Sequence, residues 1–116
     1  MPELRLRYAE PKDDNLLFEW ANDPDTRKTA VNKNNIKWEE HIKWFKAKLS
    51  STNCYLYVLE DGDIPLGQIR FEKHDNKYEI SYSIDKKQRG RGLGKKIVQL
   101  GIEKMNPILK TFLVVV

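Results

Sequence analysis

From Ile84 to Lys96 the chain reads Ile-Asp-Lys-Lys-Gln-Arg-Gly-Arg-Gly-Leu-Gly-Lys-Lys, with glycines at 90, 92 and 94. No other stretch restricts the fold as much. Residues before it alternate apolar and polar, and residues after it repeat apolar side chains at helical spacing, so it joins a strand to a helix. Glycine tolerates the left-handed backbone that turns several N–H groups outward together. With the partial positive charge of a helix start, such donors suit an anion such as a pyrophosphate. Arg89, Arg91, Lys95 and Lys96 add positive charge nearby. Two familiar phosphate loops are excluded by spacing. A P-loop needs four residues between its first glycine and a Gly-Lys pair, then Ser or Thr, whereas three residues separate Gly90 from Gly94 and Lys96 follows Lys95. A dinucleotide fingerprint needs glycine or alanine at position 95, which is lysine, and a strand that opens a parallel βαβ unit.

The rest of the chain is consistent with one small α+β unit over residues 1–116. No repeat, low-complexity tract or Gly/Ser linker divides it. A hydrophobic content of 40% excludes a disordered chain. The net charge of +4 favours a phosphate-bearing ligand, but the basic residues gather round one loop instead of forming the stripe expected of a nucleic-acid binder. Cys54 is the only cysteine, and His41 and His74 lie far from it in sequence, so neither a disulfide framework nor a metal site is expected. No apolar run is long enough for a bilayer, and a cytoplasmic setting without membrane contact is expected.

Leu4 to Tyr8 alternates apolar and charged residues, as a half-buried strand does. Pro11 and Asp13 open a helix that carries Leu16, Leu17, Trp20 and Ala21 on one face and stops at Asn22-Asp23-Pro24. Trp38, Ile42, Phe45 and Leu49 mark a second helix. Three strand segments come next, Cys54–Glu60, apolar on both faces as an interior strand is, then the period-two Pro65–Lys73 and Tyr78–Asp85, separated by the turn signals Asp61-Gly62-Asp63 and Asp75-Asn76-Lys77. They read as an antiparallel meander. A helix from about Gly92 to Met105 ends at Asn106-Pro107, and Thr111–Val116 reads as a last apolar strand. The expected order is β-α-α-β-β-β-α-β.

The segment Arg89 to Gly94 resembles the coenzyme A loop of the GNAT superfamily of N-acetyltransferases, Q/R-x-x-G-x-G/A, with Arg89, Gly92 and Gly94 at its defined positions. Its place after the third meander strand, with two helices between the first and second strands, is similar to that family over nearly the whole chain. The stretches Leu16–Arg27, Glu39–Phe45, Gly67–Phe71 and Glu79–Ile84 resemble a branch of ribosomal-protein N-terminal and sugar-nucleotide amine acetyltransferases, and lean towards the sugar members.

The resemblance implies a mostly antiparallel mixed sheet flanked by helices, and direct transfer of acetyl from acetyl-CoA to an amine. It assigns the cofactor to backbone donors of Arg89, Gly90, Arg91, Gly92, Leu93, Gly94 and Lys95, and to the main chain of Tyr82, Ser83 and Ile84. The expected substrate is a small-molecule amine, an amino sugar on a nucleotide. A protein N-terminal amine and a non-catalytic CoA-binding module are the alternatives. Glu79 is the candidate base, if partial burial raises its pKa, against the simpler role of an edge carboxylate paired with lysine. Gln68 and Arg70, with Ser81 and Ser83, either orient substrate or form a solvated sheet face. Cys54 is expected to be an inert thiol and His41 an exposed side chain. The family continues with a further helix and strands that complete the active site, so the chain is expected to lack them. An uncovered apolar edge at Phe112–Val116 would favour a homodimer.

Overall fold

The computed structural model describes residues 3–30, 33–109 and 113–115, the last three as backbone only. Five strands form one sheet in the order β1 (Leu4–Tyr8), β2 (Cys54–Asp61), β3 (Ile64–His74), β4 (Lys77–Ile84) and β5 (Leu113–Val115). The first four are antiparallel neighbours, and β5 joins β4 in parallel. The expected meander is therefore present. Four helices flank the sheet: α1 (Asp14–Ala21, entered through a 3-10 turn at Pro11–Asp13), α2 (Pro24–Thr29), α3 (Trp38–Ser50) and α4 (Leu93–Leu109). Among the described residues no helix is long and apolar enough to cross a membrane.

Two elements depart from the sequence reading. Asn22-Asp23-Pro24 does stop α1, but it also starts α2, which was not expected. The Asp23 carboxylate accepts from the Thr26 N–H at 3.3 Å and Pro24 occupies the first helical turn, where its missing N–H costs nothing. Pro107 does not end α4, which runs on to Leu109. Proline removes one helical bond there, and the burial of Leu109 in the core offsets that loss. Thr111, Phe112 and Val116, read as parts of the last strand, lie outside the described residues.

Period-two alternation gives the sheet two different faces. One carries Tyr57, Leu59, Ile69, Phe71 and Ile80 against Leu93, Ile97 and Met105 of α4. Gly101 lets that helix sit close, because a Cβ there would lie 2.9 Å from Ile69 and Phe71. A bulge opposite Leu59 and Glu60 re-aims Leu66 into the same core. The other face carries Leu56 and Val58 under Leu17, Trp20 and Phe45 of α1 and α3. These helices cover β1 and β2 and leave the polar side of β3 and β4 facing a cavity.

Charge is buried at the start of the chain. Arg7 donates to both Asp13 oxygens at 2.8 and 2.9 Å, and its Nε lies 3.0 Å from Glu60. Arg5 adds a bond to Glu60 at 3.1 Å. Burial pushes the Asp13 and Glu60 carboxyls up, but their arginine partners outweigh it and hold both below their ordinary range. The alternation at Leu4–Tyr8 thus places Arg7 under the first helix, not in solvent.

His41 corrects an expectation. It is 2% exposed, wedged between α1 and α3 with its ring 5.3 Å from that of Phe18 and 5.9 Å from that of Phe45. Its Nε2–H donates to the Asp14 carbonyl at 2.9 Å. Burial lowers its pKa from 6.5, and the Asp14 bond only partly opposes that shift.

These buried groups make stability depend on pH in opposite parts of the acid range. Arg7→Met leaves two buried carboxylates without their partner and should cost about 3 kcal/mol at pH 7 in chemical denaturation. That deficit should shrink once the carboxylates protonate at low pH. For His41 the folded ring resists a proton that the unfolded chain accepts. Its contribution is therefore present above pH 6.5 and lost as pH falls below it. His41→Gln should flatten that part of the stability profile, and an unchanged slope would show that another group titrates there.

Candidate active site

The loop is built outward from Asp85, directly after β4. Its N–H donates to the Leu66 carbonyl at 2.8 Å, and its carboxylate accepts from Lys87 N–H at 2.9 Å and the Trp20 indole at 2.7 Å. A 3-10 turn at Lys86–Gln88 leads into the glycines. Gly90 and Gly92 have φ of +82° and +72°, a conformation that other residues adopt only with strain. A Cβ on either would project into open space, so the left-handed backbone and not crowding is what calls for glycine there. Leu93 is buried and anchors the start of α4, whose first turn leaves N–H groups without helical partners. The geometry suits a pyrophosphate.

The glycines differ in role. A Cβ on Gly94 would lie 3.3 Å from the Tyr82 ring, so this residue lets helix and strand pack closely. The basic side chains differ as well. Arg89 is occupied: Nε donates to the Ile84 carbonyl at 3.0 Å, Nη1 to Asp25 at 3.0 Å and Nη2 to Asp23 at 2.8 Å. Arg91 donates to the Gln88 side chain, while Lys95 and Lys96 are both exposed.

Beside the loop, β4 loses its outer partner. Parallel pairing with β5 covers only Lys77, Tyr78 and Glu79, and among the described residues no strand pairs with the outer edge from Ile80 to Ile84. Tyr82, Ser83 and Ile84 all lie on that open stretch.

A cavity of about 430 Å³ lies between the polar face of β3 and β4 and helices α1 to α3. Gln68, Arg70, Ser81, Tyr82 and Ser83 line its floor. Gln68 donates to the Ser83 hydroxyl at 3.0 Å, and its amide oxygen is buried with no hydrogen-bond partner. Arg70 sits 5.0 Å over the Trp44 ring and pairs with Glu72, which also binds Lys48 at 2.6 Å. Burial pushes the Glu72 carboxyl up, but these cations hold it below its ordinary range. Tyr82 both lines the cavity and touches the first turn of α4, so it lies between cavity and loop.

The structure thus brings Gln68, Arg70, Tyr82 and Ser83 together, with the loop alongside. Glu79 stands apart. It is exposed, opposite Glu72 across the sheet, and outside the cavity lining, so the partial burial expected of it is absent. Cys54 is half-buried, and burial, with nearby Glu72, pushes its thiol up to about 11. At neutral pH it is not a nucleophile. Among the described residues no three His, Cys, Asp or Glu side chains come together as a metal site. The cavity roof, including Trp20, Arg27, Glu40 and His41, was missed because helices separated in sequence build it. The aspartates after α1 were the one available signal, as potential partners for a loop arginine.

Solved structures share this fold. A domain from Methanocaldococcus jannaschii is 23% identical with a TM-score of 0.78, the match covering 94% of this chain and 73% of that one. Spermidine N-acetyltransferase from Vibrio cholerae, solved with CoA and spermine, is 15% identical with a TM-score of 0.80 over 94% of this chain and 67% of that one. An N-acetyltransferase from Staphylococcus aureus is 21% identical with a TM-score of 0.75, covering 92% and 68% respectively. No curated protein matches the sequence significantly. The family model of the acetyltransferase (GNAT) domain matches residues 3–114, and the chain, with its glycine loop beside an open strand edge, belongs to that family.

Proposed function

We propose that the chain, acting as one unit, acetylates a primary amine at the expense of acetyl-CoA in the cytoplasm, and that its substrate is an amino sugar carried on a nucleotide. The observation that supports this reading best is the pair of exposed left-handed glycines beside the β4 edge, which among the described residues pairs with no outer strand beyond Glu79. Acetyl-CoA, when bound, supplies the activated acetyl thioester. Backbone N–H groups from Arg89 to Lys95 would hold its pyrophosphate, and the main chain of Tyr82, Ser83 and Ile84 its extended arm. Gln68 and Arg70, with Ser81 and Ser83, are the polar side chains of the cavity floor that would orient the amine. Glu79 takes the amine proton through water along the polar strand face, since it lies two residues beyond Ser81, roughly 7 Å.

Charge in the cavity favours a particular amine. Arg27, Arg70 and Glu40 are the charged side chains among the described lining residues, and Arg70 is also paired with Glu72. A polyamine would place several positive charges beside two arginines, whereas the diphosphate of a nucleotide-linked amine complements them. In the strand order β5 stands at the edge of the sheet, and a second copy pairing there is the assembly we infer, read by light scattering.

Calorimetry with acetyl-CoA tests the cofactor site. Gly92→Val should lose binding while costing about 1–2 kcal/mol of stability through backbone strain. Equal binding by both proteins, or none by the wild type, counts against the assignment. A thiol-release assay should then rank a nucleotide-linked amino sugar above the free amino sugar, and spermidine last. Arg27→Ala should narrow that ranking to within a few-fold. Binding without thiol release from any amine would leave a CoA-binding module instead.

A further inference from the structure

The guanidinium of Arg89 joins three parts of the molecule that share no other purpose in the core. Its Nε holds the Ile84 carbonyl at the end of β4, its Nη1 holds Asp25, and its Nη2 holds Asp23, with distances of 3.0, 3.0 and 2.8 Å. Asp23 is the less exposed of the two aspartates, with its side chain 10% accessible, and Arg89 holds its carboxyl below the ordinary range. Asp23 also caps α2 by accepting from Thr26 N–H, and Thr26 and Arg27 of that helix line the cavity roof. A second link runs parallel to the first. Trp20, another roof residue, donates its indole N–H at 2.7 Å to Asp85, where the loop begins. Asn22 completes the roof by holding both backbone groups of Ile36, at 2.6 and 2.9 Å.

We infer that Arg89 is a positioning residue that ties the shape of the glycine loop to the roof of the amine cavity, so that each ligand is bound more tightly when the other is present. The inference rests on reading Gly90–Gly94 as the acetyl-CoA site and the cavity as the amine site. One planar side chain spends all three nitrogens on fixed acceptors, and its own backbone lies in the loop. Any shift of the loop around a pyrophosphate therefore moves Asp23 and Asp25 with it, and with them the first turn of α2. Coupling between two ligands is reciprocal, so an amine that settles the roof also settles the loop. A lysine at position 89 keeps the charge but cannot reach three acceptors in one plane.

Asp25 gives the cleanest test, because its side chain is 65% exposed and does not cap the helix. Asp25→Asn should cut about two- to fivefold the factor by which saturating amine tightens CoA binding, and raise the amine KM at saturating acetyl-CoA by a similar factor, with kcat unchanged, as expected for a partly exposed ion pair. Arg89→Lys should do the same or more, and Asp25→Glu should restore part of the loss. Lys28→Gln, which removes the other ion-pair partner of Asp25, at 3.9 Å, should move neither constant. Hydrogen exchange should quicken in Asp25→Asn at Asp85 and Gln88, whose N–H groups are held by the Leu66 and Asp85 carbonyls at the base of the loop, although the substitution lies on a distant segment of sequence. Wild-type binding of acetyl-CoA together with unchanged constants and exchange in Asp25→Asn and Arg89→Lys overturns the coupling alone. Absence of acetyl-CoA binding by the wild type overturns the cofactor reading and the coupling with it.

Discussion

The pairing of β3 with β4 is the constraint on which the other features depend. Gln68 lies opposite Ser83 and Arg70 opposite Ser81, while Ile69 and Phe71 lie opposite Tyr82 and Ile80. A slip of one residue would exchange the two faces, burying arginine and glutamine under α4 and exposing the core to the cavity. Gly67 reinforces the register, since a Cβ there would meet the Ser83 carbonyl at 2.5 Å. The same ladder that builds the core therefore delivers a row of polar side chains to the opposite side. It also ends β4 at Ile84, from which the loop leaves.

Around that ladder, charge is used to hold segments in place more than to attract ligands. Arg7 secures the first helix through Asp13 and Glu60, Arg70 joins Glu72 and Lys48 at the cavity margin, and Arg89 holds the α2 corner. The basic residues near the glycines are thus not equivalent. Arg89 and Arg91 already have protein partners, and the backbone itself is left to meet an anion. A count of lysines and arginines around the loop overstates the charge available there.

Much of the fold was legible because it depends on local periods. A run apolar on both faces at Cys54–Glu60 and alternation at Pro65–Lys73 and Tyr78–Asp85 located three strands, and the turn residues Gly62 and Asp75 do adopt positive φ. The helix α2 was not legible, since six residues carry too little periodicity. Pro24 looks like an ending until the Asp23 side chain is found capping a new helix. His41 was misjudged for a related reason. On α3 it follows Glu39 and Glu40 in sequence, yet it points at α1, and only the packing of the two helices reveals that it is buried.

The sequence by itself determined the order of the strands and the three longer helices, the positions that only glycine can hold without strain, and the polar and apolar sides of β3 and β4. These arise from backbone sterics and from the spacing of neighbouring residues. Only the tertiary structure decided which distant groups meet. Arg89 reaches aspartates more than sixty residues away, Trp20 reaches Asp85, and Glu79 stays outside the cavity that its strand helps to floor. Such contacts depend on how two helices pack over one sheet face, a property of the assembled core that no local pattern encodes.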